Sequence, residues 1–258
     1  MRDIPLSLCS TGFKELSAEE VIAAASQCRL DGIEWWMGHL KNQNLSKVEE
    51  NHKKNGLAIP ILSEYTSFSK GEEACQQDVK KVQEAFLAAE QLQVPFIRIF
   101  AGHQPSRDTG KEERRAVAEA LRELCSEGKK YGVKLVLETH NHTLADDADS
   151  IAQLVKEVNS PSLCLLYDPF NFLVDKKDPR EVLKLQDACI VHVHLKNLLW
   201  NHDCWDLSKE TDVYSGDLDM LTVLAMLQEL NYSGFYSLEY FGKNKVRLIH
   251  ESALLLKK

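Results

Sequence analysis

The chain has 258 residues, with 31 Lys and Arg against 39 Asp and Glu. The resulting formal charge of −8, without any strong basic tract, excludes a phosphate backbone as partner. With 44% hydrophobic and 27% charged residues and no extended Pro, Gly or Ser tract, the chain is neither disordered nor fibrous and has the apolar content for a core. No apolar run approaches the roughly 18 residues of a membrane span, so no membrane partner is expected. The seven cysteines contain no C-x-x-C pair and read as buried thiols in a reducing cytoplasm, and the first residues enter a strand pattern without the apolar core of a signal peptide.

In chain order, the first β-rich apolar run is LSLC (6–9), followed by the helical period of SAEEVIAAASQCRL and then GIEWW (32–36) and IPILSEY (59–65). ACQQDVKKVQEAFLAAEQL precedes FIRIFAG (96–102), and EERRAVAEALRELCSEGKKYG precedes KLVLETH (134–140). LCLLYDPF (163–170) and IVHVHLKN (190–197) follow, then DLDMLTVLAMLQELN, GFYSLEYF (234–241) and KVRLIHESALLL. Eight near-continuous apolar strands alternating with helices predict parallel strands covered by helices, and at this length the closed (β/α)8 TIM barrel is the economical solution: a single domain over 1–258 with its active site at the C-terminal ends of the strands. An open doubly wound sheet lacks support, because S-T-G-F-K after the first strand is not G-x-G-x-x-G and no phosphate-binding loop motif occurs. Ser17 with Glu20 predicts a capping box, and the long polar segments 101–112 and 195–217 fall on the strand-to-helix side, where barrels carry their sites.

The strand ends then converge on Glu34, Tyr65, Arg98, His103, Glu138, His140, Asp168, Asn171, His194, Lys196 and Glu239. V-L-E-T-H, L-L-Y-D-P and S-L-E-Y each set a carboxylate directly after large apolar residues, which is costly unless the charge is paired or binds metal. Glu138, Asp168, His194 and Glu239 supply an O3N donor set suited to one divalent ion, Mn²⁺, Mg²⁺ or Co²⁺, with Zn²⁺ admissible. In HVHLKN, His192, His194 and Lys196 share a face at three depths: His192 in the core or directly behind the metal ligands, His194 at the metal and Lys196 on the substrate side. Isomerisation and dehydration next to a carbonyl both begin with removal of an α-proton, so Glu138, Glu239, His140 and Lys196 are the candidate catalytic groups. Gly-Lys-Asn-Lys (242–245), leading into the last helix, is either a phosphate position or an ordinary solvated rim loop.

At LETH, YDPFN, HVHLKN and SLEYF the sequence resembles the xylose isomerase-like barrel superfamily over essentially its whole length. That resemblance implies one divalent metal held by Glu, Asp, His and Glu from strands five to eight. A more specific similarity to 3-dehydroshikimate dehydratases implies that Glu34, Tyr65, Arg98, Glu138, His140, Asp168, His194, Lys196, Tyr214 and Glu239 lie in the pocket. Asn171 stands where those dehydratases carry His, and it joins Glu34, Tyr65, Arg98 and Tyr214 as a substrate-binding candidate. The endonuclease branch, with its three-metal site, is matched least. The expected activity is a metal-dependent isomerase or epimerase of a sugar or related polyhydroxy ketone. The alternatives are a lyase dehydrating 3-dehydroshikimate or an inosose, and a non-catalytic metal- or sugar-binding barrel. The expected partners are a small sugar, cyclitol or shikimate-like substrate, and a second copy in a homodimer or homotetramer.

Overall fold

A computed structural model describes residues 4–186 and 189–257. The strands are β1 (Leu6–Cys9), β2 (Gly32–Trp36), β3 (Leu62–Ser63), β4 (Phe96–Ile99), β5 (Lys134–Glu138), β6 (Leu163–Tyr167), β7 (Ile190–Leu195), β8 (Asn197–Leu199), β9 (Lys209–Thr211) and β10 (Phe235–Leu238). The helices are α1 (Ala18–Gln27), α2 (Met37–Leu40), α3 (Leu45–Asn55), α4 (Glu72–Leu92), α5 (Lys111–Gly128), α6 (Ala148–Val158), α7 (Pro169–Val174), α8 (Met220–Glu229) and α9 (Lys245–Leu256). Eight strands form a closed barrel in the order β1-β10-β7-β6-β5-β4-β3-β2, so the expected (β/α)8 architecture is the one observed. Among the described residues no helix is long and apolar enough to cross a membrane. By internal packing the chain divides into residues 1–60 with 192–258, and residues 61–191.

In the first of these sets, parallel register pairs Ser7 with Gly32 and Cys9 with Glu34, and Ser7 with Ser237, while Ser237 pairs with His194. Alternate side chains leave a strand on one face, so this register brings Cys9, Glu34, His194 and Glu239 to the same end of their strands. The helix α1 starts where predicted: the Ser17 hydroxyl accepts from Glu20 N and the Glu20 carboxylate from Ser17 N, both halves of the capping box. Val21, Ile22, Ala24 and Ala25 form its buried face. The turn after β1 passes so close to the end of β10 that a Cβ on Gly12 would lie 2.2 Å from the Tyr240 carbonyl oxygen. Within the 195–217 segment, β8 and β9 make an antiparallel hairpin that sequence pattern does not announce. Its anchor is the buried Asn197, whose amide donates to Val213 O (3.0 Å) and Leu218 O (2.9 Å) and whose oxygen accepts from Leu218 N (3.1 Å).

In the second set, Ser63 pairs with Arg98, Arg98 with Val136, Val136 with Cys164 and Glu138 with Leu166. Ile61, Val136, Cys164 and Leu166 form a buried apolar cluster, with Phe96 and Val191 packed against it. Asp168 ends β6 and caps α7, its carboxylate accepting from Phe170 N (3.1 Å) with Pro169 in the first turn. The expected strand 59–65 is only two residues long; Pro60 has no N–H to give to a ladder. The helices α3, α6 and α7 extend the helical stretches legible in the sequence.

Candidate metal centre and active site

On the β1, β2, β7 and β10 side, Glu34 is fully buried, and its Oε2 accepts from His194 Nε2 at 2.8 Å and lies 3.2 Å from His192 Nε2. Burial alone would push this carboxyl up, but the two imidazoles, His194 foremost, hold it well below the usual carboxylate range. Because a carboxylate only accepts, the neutral His194 ring carries its proton on Nε2 and presents a lone pair on Nδ1, the tautomer a metal donor requires. His192 sits one layer deeper, 2.7 Å from Ser237 Oγ, which is 2.7 Å from Ser7 Oγ; this is the core position expected for it. Lys196 Nζ donates to Glu239 Oε2 (2.6 Å), while Glu239 Oε1 accepts from the Thr11 hydroxyl (3.3 Å) and the Cys9 thiol (3.6 Å). Burial, together with the Glu34 and Glu239 charges, pushes the Cys9 thiol up to about 12.

On the β4, β5 and β6 side, Arg98 is buried with its Nε 3.2 Å from Glu138 Oε2. Its guanidinium lies 4.5 Å from the Phe100 ring and 5.0 Å from the Tyr65 ring, and those two rings are themselves 5.5 Å apart, so cation–π contacts hold the head group from one side. Phe100 in turn meets His140 edge-on at 5.1 Å. His140 Nδ1 lies 2.6 Å from Asn141 O. A carbonyl can only accept, so the neutral ring is left with an accepting Nε2, the form a general base needs. Thr139 Oγ1 accepts from Asp168 N (2.9 Å) and fixes the start of α7.

Glu138 ends β5 and Asp168 follows β6, while His194 lies near the end of β7 and Glu239 follows β10; all four residues are buried. Three buried carboxylates and an imidazole are the donor chemistry of a divalent cation of the Mn²⁺, Mg²⁺ or Zn²⁺ kind.

Three of the substrate-binding candidates have protein neighbours of their own. Both His194 and His192 engage Glu34, which sets its carboxylate beside the His194 ring. Asn171 Nδ2 donates to Thr139 O (3.0 Å), which ties α7 to the end of β5. Tyr214 lines a groove of about 510 Å³ with Leu221, Leu224, Tyr232 and Tyr236, outside the Glu239 and His194 contacts. Lys245, the phosphate candidate, is held by Gly12 O (2.7 Å) and Glu15. Conversely, sequence reasoning passed over Cys9 and Thr11, which sit on Glu239, and Glu64, whose carboxyl burial pushes up. For Cys9 and Thr11 the available signal was position: both follow directly on the first strand's end.

The closed barrel, with acidic and imidazole side chains buried at its strand ends, points to one family of barrels. The chain belongs to the xylose isomerase-like TIM barrel family, whose model matches residues 22–258. A 3-dehydroshikimate dehydratase of Bacillus anthracis is 25% identical over 257 residues, covering 92% of this chain and 91% of the relative. The crystal structure of AsbF, a probable 3-DHS dehydratase of petrobactin synthesis from the same organism, superposes with a TM-score of 0.87 at 24% identity, covering 99% of both chains. An L-ribulose 3-epimerase superposes at 0.84 with 16% identity, over 98% of this chain and 93% of its own. The zinc-bound IOLI protein superposes at 0.81 with 18% identity, over 98% and 95%.

Proposed function

We propose that this protein is a metal-dependent lyase that dehydrates a cyclic polyhydroxy ketone bearing a carboxylate, of the 3-dehydroshikimate class. The observation that carries the reading is the partnering of two cations, the buried Arg98 and the part-buried Lys196. Arg98 is paired with Glu138 and Lys196 with Glu239, so each cation sits on a carboxylate of the proposed metal donor set. With a divalent ion on those carboxylates, the guanidinium and ammonium beside them suit an anionic substrate and its developing oxyanion; a neutral ketose has no use for both. The relative matched over 92% of the chain is a dehydratase of this type.

Glu138, Asp168, His194 and Glu239 would hold the ion, which supplies Lewis acidity to a bound carbonyl. Arg98, held against the Tyr65 and Phe100 rings, binds the carboxylate bidentately. His140 accepts the α-proton on Nε2, and Lys196 Nζ faces the enolate oxygen and gives a proton to the departing hydroxide, which leaves as water. Glu34 holds the His194 ring in its metal-binding tautomer. The seven free thiols suit a cytoplasmic setting.

Incubation of the purified protein with 3-dehydroshikimate and Mn²⁺ is expected to yield the aromatic product protocatechuate, and Glu138→Gln and Glu239→Gln to abolish it. Absence of that product, with isomerised or epimerised product from a keto-sugar or inosose, overturns the dehydratase reading in favour of an isomerase.

A further inference from the structure

Cys9 closes β1 as the register partner of Glu34 on β2. One donor atom from each of Cys9, Glu34 and His194 lies within 4.8 Å of the other two, and all three side chains are fully buried. A buried cysteine ordinarily behaves as a small hydrophobe in apolar surroundings. This one is surrounded by polar groups: its Sγ is 3.0 Å from Thr11 Oγ1 and 3.6 Å from Glu239 Oε1, and the neighbouring Glu34 holds His194 at 2.8 Å. Sulfur, imidazole and carboxylate on three strand ends make the donor set of a thiophilic ion, whereas the all-oxygen-plus-imidazole set beside it suits Mg²⁺ or Mn²⁺ equally well.

We infer that Cys9, Glu34 and His194 form a second, sulfur-containing metal position that takes a thiophilic divalent ion such as Zn²⁺ or Cd²⁺ and shares His194 with the O3N set. Since one imidazole serves both positions, a thiophilic ion draws His194 from the first set, and excess Zn²⁺ inhibits the Mn²⁺-loaded protein. Only this competition rests on the proposed function; the thiol position stands without it.

The test uses the full chain with the exposed Cys189 and Cys204 replaced by Ser, so that surface thiols do not contribute. Titration with Cd²⁺ is expected to give a thiolate-to-metal charge-transfer band that saturates at one equivalent. The band disappears on further Cys9→Ser or Cys9→Ala replacement, both read on protein of native circular dichroism, and persists in Asp168→Asn. Mn²⁺ binding, followed by electron paramagnetic resonance in the same proteins, reports on the O3N set and is expected to survive Cys9→Ser but not Asp168→Asn. No band, or an undiminished band in both Cys9 variants, overturns the inference. A protein that binds Mn²⁺ but gives no band overturns the thiol position alone, and one that gives the band without binding Mn²⁺ supports it while removing the O3N reading.

Discussion

Lys196 carries a prediction of two opposite signs. Its ammonium holds Glu239 at 2.6 Å and so competes with any cation for that carboxylate. Two unit charges about 4 Å apart interact by roughly 4 kcal/mol at an effective dielectric near 20, so relieving part of that repulsion is worth about a tenfold gain in metal affinity. Lys196→Met is therefore expected to bind Mn²⁺ about tenfold more tightly by calorimetry, while kcat falls by about 10²–10³, the usual cost of removing one oxyanion-stabilising group. A variant that loses metal binding and activity together would show that Lys196 only props up Glu239. At this scale the sequence was most legible where a charge interrupts an apolar run, as at Glu138, Asp168 and Glu239. It was least legible for Glu34 and Asn171, because spacing along one strand cannot say that His194 and His192 occupy the one, or the Thr139 carbonyl the other. Cys9 was passed over because a thiol inside LSLC counts as one more apolar residue.

The segment between β3 and α4 shows how one side chain orders an element that bears a candidate site residue. Asp78 Oδ2 accepts from Ser67 N (2.7 Å), Phe68 N (3.0 Å) and the Ser67 hydroxyl (3.3 Å), while Lys81 Nζ bridges Asp78 Oδ1 (2.8 Å) and Tyr65 O (3.2 Å). The buried Phe68 is held at φ 56°, a left-handed conformation that a bulky residue keeps only when its surroundings impose it. Burial works against the ionised Asp78, but Lys81 and the Phe68 and Ser67 amides prevail and leave its carboxyl below the ordinary value. A depressed folded pKa contributes stability that is present above the unfolded value near 3.9 and is lost as pH falls below it. Asp78→Asn is thus expected to cost about 1–3 kcal/mol near neutrality, and its difference from the parent protein in urea unfolding to shrink below about pH 4. A difference independent of pH would show that Asp78 acts through its shape alone. In the turn after β1, Gly12→Ala would put a methyl 2.2 Å from the Tyr240 oxygen, and overpacking of this kind costs about 1–3 kcal/mol. The expected fall in Tm is roughly 2–4 °C per kcal/mol. Element types were legible from period and apolar continuity, but ends were not. Pro60 cut β3 to two residues, and the β8–β9 hairpin depends on Asn197 contacts with Val213 and Leu218 that no local pattern reveals.

For the whole molecule, the barrel was legible because parallel strands covered on both faces read as unbroken apolar runs, whatever the irregularity of the loops between them. The same burial sets an energetic tension: Glu34, Glu138, Asp168 and Glu239 are each at most 5% exposed, in a chain whose net charge is already −8. A cation that binds the folded chain and not the unfolded one relieves that tension and stabilises by RT ln(1 + [L]/Kd), about 2.7 kcal/mol at a hundredfold excess over Kd. In a chain of this size that corresponds to a rise in Tm of roughly 5–10 °C. Chelator-treated protein is therefore expected to melt lower than protein returned to saturating Mn²⁺. Asp168→Asn is expected to melt at the same temperature with and without the ion, and Lys196→Met to reach its plateau at lower Mn²⁺ than the parent. Scanning calorimetry across a Mn²⁺ series measures all three. A parent protein indifferent to Mn²⁺, Mg²⁺, Co²⁺ and Zn²⁺ alike would mean that Arg98 and Lys196 already neutralise the buried carboxylates in the working state, and would remove the metal from the proposed chemistry.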